Sequence, residues 1–294
     1  MNTIAILLSA FVLSFVALMV FIWSQRKGLF DRSSKGAEVI FAPGEIGHIE
    51  EPAGDASSRA HLQGAMDAAR ANKAGPADAA ELAARVEADA STAPLVFFMF
   101  CCAVAWLLVA SLGGLTASIK LHEPDWLTQQ AWLTFGRIRT IHLNAVAYGW
   151  APMAGLGIAM FIIPRLLKTP LMGARFAFVG AALWNAALIA GLGSIGAGIN
   201  DGLEWLEVPW QIGLLFALGG GLMALPLIFT LVNRRVDHLY VSVWYMACAL
   251  FWLPVLYVVA KIPGLHSGVQ QAAMNWWFGH NVLGLFYTPL ALAS

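Results

Sequence analysis

Seven stretches of this chain, each about twenty residues long, are apolar enough to demand lipid as their surroundings. They cover 4–23, 94–119, 141–164, 174–199, 209–232, 239–260 and 271–293. Of 294 residues, 59% are hydrophobic and only 12% charged, more apolar surface than one soluble core could bury. In hydrocarbon every backbone polar group must be satisfied within its own segment, so the spans are expected to be helices. The expected fold class is all-α, a polytopic transmembrane helix bundle. Glycine-rich stretches at 191–198 and 219–221 would weaken soluble helices, but in a bundle they let neighbouring backbones come close.

Charge gives the spans a direction. Arg26, Lys27, Arg32 and Lys35 follow the first span, Arg165, Lys168 and Arg175 the third, and Arg234 and Arg235 the fifth. By the positive-inside rule those loops face the cytoplasm. The opposite loops hold Glu123, Asp125, Asp201, Glu204 and Glu207, with Trp126, Trp132, Trp205, Trp210, Trp276 and Trp277 near the boundary as an aromatic belt. Arg137 and Arg139 sit on the outer side against the rule, which makes them candidates for binding an anion. The formal net charge is zero and gives no reason to expect a nucleic-acid partner.

Three domains follow from this pattern. Residues 1–23 read as an uncleaved transmembrane anchor, because Met1-Asn2-Thr3 carries no positive charge and no small-residue cleavage site ends the run. Residues 24–93 read as a cytoplasmic Ala-rich linker with two short helices split at Gly75-Pro76, or as a docking element for a partner subunit. Residues 94–294 form the helical block. Cys101, Cys102 and Cys248 all lie inside spans, so disulfides are not expected, and no C-x-x-C-H offers covalent haem attachment.

Two histidines stand out in so apolar a chain, since ionisable groups in membrane helices usually pair, bind something or line a pathway. His280 lies about 13 Å along the last span from Gln271, at about 1.5 Å per residue. It reads either as a buried histidine bonded to a neighbouring helix or as a copper or iron ligand facing the bundle interior. His142, at the mouth of the third span, reads either as an interface histidine or as an axial haem ligand. Arg139 is three residues before it on the same helical face, and an arginine fork suits a haem propionate. Glu204 and Glu207 are either solvated loop acids or a hard-cation site of oxygens. His48, His61, His122, His238 and His266 read as surface residues. Tyr148, Tyr240, Tyr245, Tyr257 and Tyr287 lie in or beside spans, with nothing in their spacing to single one out.

From about residue 94 to 294 the sequence resembles the N-terminal half of the catalytic subunit of haem–copper oxidases, and most of all the cbb3 type of cytochrome c oxidase. The segments LHEPDWL, LTFGRIRTIHLNAVAYGW, PRLLKTP and NWWFGHNVLGLFYTPLAL carry the likeness. The six spans from 94 onward correspond to the first half of that family's core. The resemblance implies that His142 is an axial ligand of low-spin haem b, that His280 ligates the copper called CuB, and that Arg139, with Arg137 beside it, meets a haem propionate. More loosely, it implies that Glu204 or Glu207 neighbours a calcium. The implied activity is reduction of oxygen to water with electrons from cytochrome c, coupled to proton translocation in a bacterial inner membrane. The implied partners are c-type cytochrome subunits and membrane lipid.

The family continues through further helices that bring the remaining CuB histidines, the cross-linked tyrosine and the other haem ligands, including those of a high-spin haem. Without that C-terminal half the chain alone is expected not to reduce oxygen, as a gene fragment, half of a split subunit or a truncated form. The anchor, with Gly28-Leu29-Phe30-Asp31, is similar to a small single-span assembly factor. Two other readings stay open: a nitric oxide reductase-like subunit, and a non-catalytic assembly or haem-handling membrane protein. A nitric oxide reductase usually follows its metal histidine with a glutamate, and no acid follows His280 here.

Overall fold

The computed structural model describes residues 76–293 and a few helical positions between 12 and 27. The remainder of the anchor, residues 28–75 of the linker, and His48 and His61 lie outside the described residues. Among the described residues there is no strand, and five helices are long and apolar enough to cross a membrane.

The first of these, α1 (Pro76–His122), is 47 residues long. Pro76 opens it at a position where a missing N–H costs nothing. The Ala-rich stretch favours helix, and the helix passes Pro94 without stopping. The expected boundary at 93/94 therefore falls inside a continuous helix, and the end of the linker is packed. Asp89 takes a two-pronged ion pair from Arg165, at 2.7 Å on each oxygen. The Ser91 hydroxyl accepts from the Leu171 N–H at 2.8 Å, and Glu87 pairs with Arg235 at 3.2 Å.

A 3₁₀ turn (Ala131–Leu133) leads to α2 (Phe135–Asn144), which runs through a π-helical segment (Ala145–Trp150) into α3 (Ala151–Leu166). Then come α4 (Ala174–Ala197), α5 (Trp210–Val232) and α6 (Val241–Lys261). The last run is α7 (Val269–Val282), a second π segment (Leu283–Tyr287) and α8 (Thr288–Ala293). This run accounts for the seventh expected span.

α4 and α5 pack through glycine. A methyl group on Gly180 would come within 2.6 Å of the Gly219 carbonyl oxygen, and one on Gly219 within 2.9 Å of the Gly180 oxygen. The expected close approach is thus made by Gly219, whereas Gly221 and Gly193 meet nothing within 4 Å. The centre of the bundle is aromatic. Trp184 of α4 lies edge-on to Phe216 of α5 at 4.8 Å between centroids, and Phe216 meets Tyr148 and, on α6, Tyr257. Two ends result: a basic end around Arg165 and Arg235, and an opposite end closed by the loop 198–209.

Candidate functional site

His142 stands near the end of α2, against α1. Its Nδ1 lies 2.7 Å from the Ala110 carbonyl oxygen. A carbonyl can only accept, so Nδ1 carries a proton, and it is Nε2 that holds the lone pair whenever the ring is neutral. Gly113 and Gly114 make room for the ring: a methyl on Gly114 would stand 2.8 Å from Cε1 and 2.9 Å from Nδ1. The α1 backbone thus fixes both the tautomer and the tilt of this imidazole, as carbonyls behind metal-binding histidines do.

Beside it is a cavity of about 240 Å³ with an almost wholly apolar surface. His142, Tyr148, Glu204, Trp205, Glu207 and Tyr287 are among the residues that line it. Both π segments border the cavity, one following His142 and the other following His280. A π turn carries an extra residue and often marks a functional position. The carbonyls it displaces find side-chain partners here. Tyr148 O accepts from Trp184 Nε1 at 2.6 Å, and Ala147 O accepts from the Tyr287 hydroxyl.

The outer loop closes the cavity from above. Glu204 pairs with Arg139 at 2.9 Å, both side chains nearly half exposed. Glu207 is only 6% exposed and accepts from Asn144 Nδ2 at 3.0 Å. Trp205 between them is held at φ 71°, a left-handed conformation uncommon for a non-glycine residue. The Tyr148 hydroxyl donates to its carbonyl. Lys261, at the end of α6, is buried against the loop and donates to Asp201 Oδ2 at 2.6 Å and to the Leu206 carbonyl.

The fold thus gathers His142, Arg139, Glu204 and Glu207 at one place. Arg137 goes elsewhere. Its Nη1 donates to the Gly196 carbonyl at 3.0 Å, and its guanidinium packs under Gly198, whose φ of +87° closes α4. It therefore serves the carbonyl end of a helix, where cations are favoured, in place of the expected anion. His280 does not face the bundle interior of the described residues. It is exposed on α7, and Leu283 and Tyr287, further along the same run, reach the cavity in its place. His266 is buried, bonded through Nε2 to Val259 O at 3.1 Å, and His238 is half-buried, so neither is the surface residue expected. Asn144, Tyr148, Tyr287 and the Lys261–Asp201 pair were not singled out by the sequence. Asn144, two residues after His142, was the signal within reach.

Residues 94–294 match the family described as Cytochrome C and Quinol oxidase polypeptide I. The chain belongs to that family. This oxidase polypeptide I chain is 27% identical over 194 residues to the Cbb3-type cytochrome c oxidase subunit CcoN1 of Stutzerimonas stutzeri, covering 63% of this chain and 41% of the relative. It is 28% identical to a cytochrome c oxidase subunit 1 homolog of Azorhizobium caulinodans, covering 65% and 37%. It is also 28% identical to cytochrome c oxidase subunit 1 of Rhodobacter capsulatus, covering 62% and 37%. The chain spans about two-fifths of the length of these curated relatives. Its helices and its family together make it a multi-pass membrane protein.

The family implies haem and copper, and the two fare differently against the residues present. Haem fits: an imidazole bonded through Nδ1, with Nε2 left over, stands beside an apolar cavity with an arginine at its rim. Copper does not fit on these residues alone, because among the described residues no three His, Cys, Asp or Glu come together to hold a metal. Calcium asks for about six to eight oxygens; Glu204 and Glu207 bring four, of which one is bonded to Arg139 and one to Asn144.

Proposed function

We propose that this chain is part of the catalytic subunit of a cbb3-type terminal oxidase, which reduces oxygen to water with electrons from cytochrome c and couples this to proton translocation. The proposal places it in a bacterial inner membrane with c-type cytochrome subunits as partners. The observation that carries it is the Nδ1–Ala110 hydrogen bond, which leaves His142 Nε2 as a ready axial ligand. A haem bound there would supply one-electron transfer. His142 would hold the iron, Arg139 would turn from Glu204 to a propionate, and Tyr148, Val146 and Tyr287 would exclude water. Asn144 and Glu207 keep the outer loop over the cavity.

His280, on an exposed face, is proposed as one copper ligand whose fellow ligands come from outside the described residues. A high-spin haem belongs to the same outside contribution. The lack of any acid between His280 and Ala293 supports an oxidase over a nitric oxide reductase. The lack of a three-ligand metal group among the described residues is the one observation that favours a non-catalytic, haem-handling role.

The test is a reduced-minus-oxidised optical spectrum of membranes expressing this chain, alone and together with a cbb3 subunit lacking the matched segment. A b-type band that His142→Ala abolishes supports the reading. A band unchanged by His142→Ala removes the assignment. Copper content that falls in His280→Ala while the b-type band persists supports the second ligand.

A further inference from the structure

On the opposite, basic side of the bundle a second cavity lies far from His142. It is a groove of about 420 Å³ between α5 and α6, floored by Ile163 of α3. Its walls are apolar, and Ile228 and Phe251 beside its mouth are both more than half exposed. Pro254 lines it one turn after Leu250. A proline there leaves no N–H for the Leu250 carbonyl, although α6 runs on past it to Lys261. The groove ends inward at Leu231 and Val243, which flank the loop 233–240.

That loop carries Arg234 and Arg235 against one acid, Asp237, where the groove stops, and with Arg235 paired to Glu87 it is Arg234 that faces the groove's end. Arg234 folds back so that Nη1 donates to the carbonyl of Leu231, a lining residue, at 3.3 Å. Its Nε is buried and meets no hydrogen-bond partner among the described residues, and the same holds for His238 Nε2. The His238 ring is fixed edge-on to Tyr240 at 4.8 Å. A buried guanidinium nitrogen without an acceptor is costly, and an acceptor-rich phosphate would satisfy it once the Arg234 side chain turns out from the loop. A basic site at the cytoplasmic end of an apolar cleft between helices suits an anionic lipid headgroup.

We infer that this groove holds an acyl chain of an anionic phospholipid whose phosphate is bound by Arg234, the cation tied to its inner end. The apolar walls take the chain and the loop takes the charge. A zwitterionic lipid can satisfy the walls but carries no net charge for the loop. The inference is independent of any haem at His142.

The full chain is reconstituted in phosphatidylcholine vesicles containing a trace of lipid with a photoreactive acyl chain, either phosphatidylglycerol or phosphatidylcholine. After irradiation, labelled peptides are mapped by mass spectrometry. Phosphatidylglycerol is expected to label the peptides bearing Ile228 and Phe251 about fivefold over phosphatidylcholine, the weight of one arginine near an anionic surface. Arg234→Gln is expected to bring that ratio close to one while the labelled positions stay the same, with Arg234→Lys keeping most of it. Ala247→Phe, which fills the groove from its wall, is expected to move label off those peptides. Should Ala247→Phe fail to fold, Ala224→Leu fills the same space with less bulk. Equal labelling by both lipids in the unaltered chain overturns the inference. So does a ratio untouched by Arg234→Gln, or no label on these peptides because another segment, such as residues 4–23, covers the groove.

Discussion

The hydroxyl of Tyr287, in the second π segment, donates a hydrogen bond to the carbonyl oxygen of Ala147, in the first. Ala147 is buried, and its carbonyl has lost the α-helical partner that a regular turn would provide. The bond joins the run carrying His280 to the run carrying His142, across the cavity between them.

Tyr287→Phe should therefore destabilise the bundle by about 1–3 kcal/mol, the cost of leaving a buried acceptor unsatisfied. SDS-titrated unfolding in mixed micelles measures it. An unchanged midpoint means that the carbonyl finds another donor and that the two runs are not coupled through this bond.

Gly114→Ala should displace the imidazole of His142, because the added methyl would stand 2.8 Å from Cε1. α1 is long, and α2 runs on through the π segment into α3, so the two cannot easily part; the ring has to tilt and its Nδ1 bond to Ala110 weakens. The expected result is a shifted or weakened b-type band, with helical content by circular dichroism kept. Gly136→Ala serves as the control, since nothing lies within 4 Å of its added methyl. A normal band in the Gly114 variant would falsify the role given to the α1 backbone.

Lys261→Met should cost about 3 kcal/mol, the lower end for breaking a buried pair, because Asp201 keeps some solvent. The Lys261→Met, Asp201→Asn double variant should recover part of that loss, since no charge is then left unpaired. Unfolding midpoints of the two single variants and the double decide it. Strict additivity would mean that the two side chains do not depend on one another.

Asp89→Asn should lower stability by about 1 kcal/mol, and the loss should shrink in high salt. The pair is two-pronged but partly exposed, with Arg165 also over the Phe161 ring at 4.3 Å. Thermal unfolding at low and high salt checks it, and a loss that salt leaves untouched points to packing as the cause.

What the sequence made legible was whatever depends on composition along one segment. The spans from 94 onward emerged close to their expected bounds, because hydropathy over twenty residues decides them. A helix starting after Gly75-Pro76 was expected, but not its continuation into the span at 94, because Glu87 and Asp89 are neutralised by Arg235 and Arg165, partners that only folding brings near. At the site, His142 with Arg139 was visible as an R-x-x-H spacing. Glu204 and Glu207 joined them, but their partners Arg139 and Asn144 are more than sixty residues away in sequence. Arg137 was misread for the same reason, since its acceptor is the end of a helix that begins after residue 170. His280 was expected to face inward because it is deep in its span, but depth along a helix says nothing of which way a side chain points around it.

The length of α1 sets how high the bundle sits. Its 47 residues make a rod of about 70 Å, more than twice the roughly 30 Å of hydrocarbon it has to cross. Such a rod could in principle slide or lean by several turns. Glu87 and Asp89 remove that freedom, because each is tied at the basic end of the bundle and neither can be drawn into hydrocarbon cheaply. The charged turns act as a depth stop. They fix where Ala110 and Gly114 lie relative to the membrane surface, and so the level at which His142 is presented.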